Sequence, residues 1–104
     1  MKTIREVVDL TVGTHKVGDL EGVSYTELVK IFGLPTFWPE DNFDGKVNFE
    51  WVIQMGDVIF TVYDWKTFDE EYTKNELDRW SIGGKNQLYV SEFIEEVNTR
   101  LNRL

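Results

Sequence analysis

The feature that most constrains the fold is a stretch of alternating apolar and polar residues, KVNFEWVIQMGDVIFTVYDWK, from Lys46 to Lys66. Its two halves stay in phase when they are folded back about Met55-Gly56, with Gln54 opposite Asp57. Alternation with a period of two residues that continues through a short glycine-containing turn is typical of a β-hairpin. The stretch therefore predicts a central hairpin with one apolar and one polar face.

This register assigns every second residue of the hairpin to each face. On the core face, the predicted pairs are Ile53 with Val58, Trp51 with Phe60, and Phe49 with Val62. On the other face, they are Glu50 with Thr61, Asn48 with Tyr63, and Lys46 with Trp65. Because aromatic rings on a polar face are not explained by core packing, we expect the functional residues on this second face.

The negative charge of the chain is concentrated around the hairpin. The formal net charge is -8, and residues 40–78 hold eleven acids and three bases, while the rest of the chain is balanced. Such a field attracts basic partners. Direct binding to nucleic acid is not expected, since no basic stripe is present to release counterions. The alternative is that the acids only keep a small domain soluble.

Length and composition predict a single domain, 1–104, with a real core. The chain has 104 residues, of which 41% are hydrophobic, and it has no cysteine. This composition excludes disulfides and sulfur-ligated zinc. No apolar run reaches the roughly 20 residues of a membrane helix, and the first residues carry charges where a signal peptide is apolar. A cytoplasmic protein, either bacterial or inside an infected host cell, is therefore expected, with no membrane partner.

Two amphipathic helices are predicted beside the hairpin. In the first, about 24–32, Ser24 and Glu27 form a capping box and Gly33 is placed to end the helix. In the second, about 91–104, Ser91 is the expected N-cap of a continuous apolar stripe. Residues 1–22 fit a short strand or arm as well as a short helix that Thr3 and Glu6 would cap.

The remaining segments complete a two-layer α+β domain. Residues 67–78 are predicted to form a loop, Arg79 to Ile82 a short strand, and Gly83-Gly84 a turn. The expected fold is an antiparallel sheet of three to four strands with both helices on one face. Aromatic residues in the 34–45 loop are expected to cover the core, or else to form part of a binding patch: Phe37, Trp38 and Phe43.

The sequence gives little support for catalysis. His15 is the only histidine, so a metal site or a histidine-assisted nucleophile has little to draw on, and no EF-hand spacing occurs. Glu50 and Asp64 could form a carboxylate pair, but acids this numerous make such a pair common by chance. We therefore expect no catalytic residue, no metal, no cofactor and no enzymatic activity.

Two sets of residues are candidates for binding. The first would form an acidic, aromatic surface for a basic protein: Glu50, Tyr63, Asp64, Trp65, Asp69, Glu70 and Glu71. The second would seat an anion or nucleotide on a glycine-rich turn, with Tyr63 and Trp65 as neighbouring rings: Trp80, Gly83, Gly84 and Lys85. The spacing of the second set is not that of a phosphate-binding Walker motif.

Three segments in this order resemble a group of small acidic bacteriophage accessory proteins: YTELVKIFGLPT, then the hairpin stretch with its Tyr-Asp-Trp-Lys end, then RWSIGG. The resemblance covers roughly residues 23–84. It implies a phage accessory gene product, and many such proteins inhibit host functions or host defences. The shared pattern consists of Gly33, Pro35, Tyr63, Asp64, Trp65, Lys66, Trp80, Gly83 and Gly84.

These observations favour a non-enzymatic inhibitor of a host or anti-phage defence protein, which would occupy a basic site such as one for nucleic acid. The alternative is a binder that sequesters a small nucleotide signal, although the acidic field disfavours a phosphate. A further alternative is a structural or assembly protein that forms a homo-oligomer. The chain is accordingly expected as a monomer or a small homo-oligomer.

Overall fold

A computed structural model describes residues 1–5, 13–41 and 45–104. The predicted Thr3–Glu6 capping box falls partly outside these residues, and Phe43 and the Asp44 part of the predicted turn lie wholly outside them. Within the described part, no helix is long and apolar enough to cross a membrane.

The chain has an α+β fold with an open, antiparallel sheet of five strands. The strands are β1 Lys2–Ile4, β2 His15–Glu21, β3 Glu50–Met55, β4 Val58–Tyr63 and β5 Arg79–Gly84. Their order across the sheet is β1-β3-β4-β5-β2. The sequence predicted three to four strands, which is too few. For residues 1–22 the sequence left a strand, an arm or a short helix open. The described part of this segment forms two strands, β1 and β2, at the two edges of the sheet.

The central hairpin is confirmed, but its register differs from the prediction by two residues. Met55 lies opposite Val58 and Ile53 opposite Phe60, so Gly56-Asp57 forms the turn. Gly56 has a φ of 63°, which fits the first position of a two-residue type II′ hairpin turn. A shift of two residues keeps each side chain on its predicted face, because successive side chains alternate.

Helices α1, Tyr25–Phe32, and α3, Val90–Asn102, cover the apolar face of the sheet. Ser24 and Glu27 form the predicted capping box at the start of α1. The Ser24 hydroxyl accepts a hydrogen bond from the Glu27 amide, and the Glu27 carboxylate accepts one from the Ser24 amide. The predicted Ser91 cap of α3 is wrong: Tyr89, with a φ of 70°, is at the N-cap and no side chain caps the helix. Fully buried aromatic residues at the centre of this core are Phe49, Trp51, Phe60, Trp80 and Phe93.

Two segments predicted as irregular are regular. Residues 67–78 contain a short helix, α2 Glu70–Asn75, which begins after Asp69 because its carboxylate accepts bonds from the amides of Glu71 and Tyr72. Gly83-Gly84, predicted as a turn, continues β5. The sequence therefore missed one helix and placed the end of one strand too early.

Candidate functional site

Trp65 and Tyr63, the aromatic residues on which the predicted binding surface depends, lie at the end of β4. The side chain of Trp65 is 50% exposed, whereas Tyr63 is half-buried. Their rings meet edge to face with centroids 6.2 Å apart, and the Nζ of Lys66 lies 5.4 Å from the centre of the Trp65 ring. Both residues are therefore accessible, on the side of the sheet that α1 and α3 leave uncovered.

Asp64, predicted to contact a partner, is instead fully buried and holds the chain together after β4. Its carboxylate accepts bonds from the backbone amides of Asn48 and Phe49, each at 2.8 Å. It also accepts from the side chains of Asn48 (2.8 Å), Thr67 (3.0 Å) and Thr73 (2.8 Å). We call this group, Asp64 with Asn48, Thr67 and Thr73, the Asp64 clasp. With five bonds accepted and no solvent access, its role is structural.

The clasp fixes both ends of an aromatic segment, residues 65–72, that faces solvent. Phe68 is 66% exposed and Tyr72 is 44% exposed, in addition to Trp65. Sequence reasoning missed Phe68 and Tyr72, although their positions on either side of the acidic run at 69–71 were visible. Three exposed rings within eight residues are unusual in a small domain, since large apolar side chains are normally buried.

The backbone of the aromatic segment is held in a costly conformation. Lys66 and Phe68 have φ values of 55° and 58°, in the left-handed region that residues with a Cβ avoid. Such conformations persist only where surrounding structure imposes them, and they occur often at functional sites. Here the Thr67 hydroxyl between them is bonded to Asp64, so the clasp imposes the conformation that exposes Phe68.

Two separate elements that carry acids come together at one buried ring, Phe49. Trp38, just before the 3-10 helix Pro39–Asp41, packs against Phe49 with ring centroids 5.7 Å apart. From α2, the Nζ of Lys74 lies 5.8 Å from the same ring. The acids that these two helices and the α2 cap bring to this end of the molecule are Glu40, Asp41, Asp69, Glu70, Glu71 and Glu76. We call this region, together with the aromatic segment, the acidic end.

Not every acid between positions 40 and 78 belongs to the acidic end. Asp57 lies in the hairpin turn, at the opposite end of β4 from Tyr63. Among the acids of α2, Glu70 pairs with Lys74 at 3.5 Å, whereas Glu71 and Glu76 form no ion pair with a described residue. The described residues thus neutralise the local negative charge only in part.

Glu50 begins β3 and is half-buried on the face of the sheet opposite α1 and α3. Burial raises the pKa of its carboxyl to about 7, and the nearby charge of Asp64 adds to the effect. Burial also raises the pKa of Tyr63, with further contributions from Glu50 and Asp19. Thr61, which was expected to be on an open surface, is 3% exposed, so the middle of this face is buried.

The second predicted site, for an anion or nucleotide, is not assembled. Trp80 is fully buried and its indole nitrogen donates to the carbonyl of Val23 at 2.9 Å, so its ring cannot stack on a base. Gly83 pairs with Lys16 of β2 and Thr61 of β4, and Gly84 pairs with His15. Their backbone groups therefore belong to the sheet, and only Lys85 of this set is exposed. A side chain at Gly83 would clash with the Thr61 hydroxyl.

The described residues contain no group of three or more histidine, aspartate or glutamate side chains placed to hold a metal ion. His15 lies exposed at the start of β2. The comparisons give no match for this chain to any protein-family model, curated protein or solved structure. The resemblance to small phage proteins therefore stays a prediction.

Proposed function

We propose that this protein is a non-enzymatic inhibitor that binds a basic surface of another protein through its acidic end. The observation that carries the proposal is the set of three exposed rings, Trp65, Phe68 and Tyr72, on a segment that a buried carboxylate holds in place. The resemblance in sequence supports a phage-encoded protein directed at a host or anti-phage defence protein. A site that normally holds nucleic acid is the class of basic surface that best fits this end.

The aromatic residues provide the anchors that such a complex needs. Tyrosine and tryptophan are among the residues that contribute most to protein–protein binding, because their rings bury a large area with few rotatable bonds. Trp65 and Phe68 gain the most from burial, since they are 50% and 66% exposed in the free chain. The fixed backbone at Lys66 and Phe68 reduces the entropy lost on binding.

The acids provide orientation and speed of association. Glu71 and Glu76 have no cationic partner among the described residues, so they can pair with arginine or lysine of another protein. Complementary charges steer two proteins together and exclude partners with the same sign of charge. The same field repels nucleic acid, which supports binding to a nucleic-acid-binding protein rather than to the nucleic acid.

The two alternatives predicted from the sequence have less support. Sequestration of a nucleotide signal has less support because Trp80 is buried and cannot stack on a base. The backbone groups of Gly83 and Gly84 are paired in the sheet, so they do not form a phosphate site. A homo-oligomer built through the acidic end would bring like charges together, which costs free energy. Measurement of the mass in solution would show an oligomer directly.

The contribution of the α2 acids to partner binding can be tested by substitutions that leave the Asp69 N-cap in place. Asp69 should be kept because it caps the helix, so we would reverse Glu70 and Glu71 to lysine. The matched control reverses Glu92 and Glu95 on the exposed side of α3, with the same change in net charge. Partners would be captured from a bacterial lysate at low and high salt.

We expect Glu70→Lys/Glu71→Lys to reduce capture about tenfold at low salt, with a smaller effect at high salt because ions screen exposed charges. The control should stay near wild type. Equal capture by both variants would remove α2 from the binding surface.

A further inference from the structure

Glu50 lies in the middle of a row of three side chains on the face of the sheet opposite α1 and α3. Phe37 is bridged to Glu50 on one side, with backbone bonds of 2.9 and 3.1 Å, and Tyr63 is its partner in β4 on the other. Directly paired residues of antiparallel strands point to the same face with Cβ atoms about 5 Å apart. The Glu50 side chain therefore lies between the Phe37 and Tyr63 side chains in this row. We call this row, Phe37, Glu50 and Tyr63, the Glu50 slot.

The carboxylate of Glu50 lacks the bonds that its neighbours have. Asp64 accepts five hydrogen bonds, and Asp19 pairs with Lys16 at 3.0 Å and Arg79 at 3.2 Å. No described residue donates a hydrogen bond to the Glu50 carboxylate or forms an ion pair with it. Half-buried carboxylates are normally paired, because burial of a charge without a partner is costly. Among the described residues, the slot therefore lacks a donor for the Glu50 carboxylate.

We propose that the Glu50 slot receives an arginine side chain of the basic protein that binds the acidic end. This inference rests on the proposed function and names the chemistry of one contact within it. A guanidinium group is planar, weakly hydrated and able to stack on aromatic rings while it donates two parallel bonds to a carboxylate. Lysine, a compact and strongly hydrated cation, fits a half-buried slot between two rings less well.

The electrostatics of the slot support a cation. Burial and the charge of Asp64 raise the pKa of Glu50 to about 7, because no positive charge among the described residues offsets the cost of ionising this carboxyl. A bound guanidinium favours the ionised form and lowers that pKa. Binding must therefore weaken as the pH falls below 7, since a proton and the arginine compete for the same carboxylate.

The other charged and titratable groups near this row, on or next to β4 and β2, do not account for weaker arginine binding below pH 7. Tyr63 stays neutral below pH 8 because its pKa is raised above its ordinary value of 10. The pKa of Asp19 is lowered, since hydrogen bonds from Lys16 and Arg79 together outweigh the effect of burial. Asp64 is enclosed by its hydrogen bonds, and Lys16 is paired with Asp19.

The test uses small probes, so it does not need the identity of the partner. The probes are N-acetyl-arginine methylamide, the neutral citrulline analogue and the lysine analogue. Binding to the full chain would be followed by NMR, through the side-chain carboxyl carbon of Glu50, at pH 6 and pH 8. With a pKa of about 7, we expect the arginine probe to bind about tenfold more weakly at pH 6.

Two variants distinguish the slot from general attraction by an acidic protein. Glu50→Gln should lose binding of the arginine probe and its pH dependence, while His15 and all other acids are unchanged. Tyr63→Leu keeps an apolar side chain over Gly83 but removes one ring, and should weaken arginine about threefold while the pH dependence stays.

Equal binding of arginine and citrulline, or of arginine to wild type and Glu50→Gln, would overturn the proposal. If Glu70→Lys/Glu71→Lys still reduces partner capture, that result leaves the proposed function intact. Conversely, if the slot binds arginine specifically but Glu70→Lys/Glu71→Lys does not change partner capture, the proposed function alone is rejected.

Discussion

Trp65 and Trp80 lie at the two ends of the connection between β4 and β5, and the chain uses them in opposite ways. Trp80 is fully buried, packs edge to face on Trp51 at 5.5 Å and bonds to the carbonyl of Val23. Trp65 is half exposed, its ring meets that of Tyr63 edge to face, and the Lys66 ammonium lies near it. The first holds the sheet to its helices, whereas the second is available to another molecule. The residue type alone does not distinguish the two roles.

A second contrast, between Asp64 and Glu50, shows how the acidic end is built. The Asp64 carboxylate is fully buried and accepts five hydrogen bonds, while the carboxylate of half-buried Glu50 accepts none from the described residues. One carboxylate fixes the segment that carries the exposed rings, and the other remains to be paired. The distinction between residues that hold the fold and residues that are available to a partner can be tested with single substitutions.

The largest effect is expected for Trp80→Ala. Removal of a fully buried indole leaves a large cavity and an unpaired Val23 carbonyl, which should lower the free energy of unfolding by about 3–5 kcal/mol. Chemical denaturation followed by circular dichroism measures this loss. A loss under about 1 kcal/mol would show that Trp80 is not part of the core.

The next effect tests the clasp. Asp64→Ala leaves two buried amides and three side-chain donors without their acceptor, and should cost about 3 kcal/mol of unfolding free energy. The control is Glu95→Ala on the exposed side of α3, which should change stability by less than about 0.5 kcal/mol. If the two variants are equally stable, the clasp does not hold the aromatic segment.

Glu50 should make stability depend on pH with a definite sign. Its folded-state pKa, about 7, exceeds the ordinary value of 4.5, so the fold favours the protonated form. That contribution is complete below pH 4.5 and is lost as the pH rises through 7. Relative to Glu50→Gln, the wild type should therefore lose about 2–3 kcal/mol of unfolding free energy between pH 4.5 and 8. Parallel curves for the two proteins would contradict this assignment.

The smallest effect on stability is expected for Trp65→Ala. The exposed ring makes one edge-to-face contact and one contact with an ammonium, so its loss should cost less than about 1 kcal/mol. The matched comparison is Trp80→Ala, which removes the same side chain from the other end of the connection. Similar losses for both would erase the distinction between a structural and an available tryptophan.

The sequence predicted those parts of the fold that depend on local patterns. The alternation in the hairpin assigned Trp51 and Phe60 to the core face correctly even though the register was shifted by two residues, because that shift preserves side-chain direction. The Ser24 capping box also held. The Asp69 cap of α2 was visible as an aspartate before two glutamates, but the polar run was interpreted as a loop.

Features that depend on distant contacts could not be predicted. Asp64 draws its donors from residues that precede and follow β4, so its burial is invisible in a local pattern. Gly83-Gly84 resembles a turn, yet it lies within a strand, where the approach of the Thr61 hydroxyl and the Tyr63 ring leaves no room for a side chain at Gly83. The pairing of Glu50 with Phe37 likewise joins a loop to a strand.

The central claim, that the exposed rings of the acidic end bind a protein partner, has one direct test. The triple variant Trp65→Ala/Phe68→Ala/Tyr72→Ala should keep its fold yet capture at least about tenfold less partner from a bacterial lysate than wild type. The control Leu34→Ala/Leu88→Ala removes side chains that are 56% and 61% exposed elsewhere on the molecule, and should capture the partner normally. A folded triple variant that captures the same partner as fully as wild type would contradict the account.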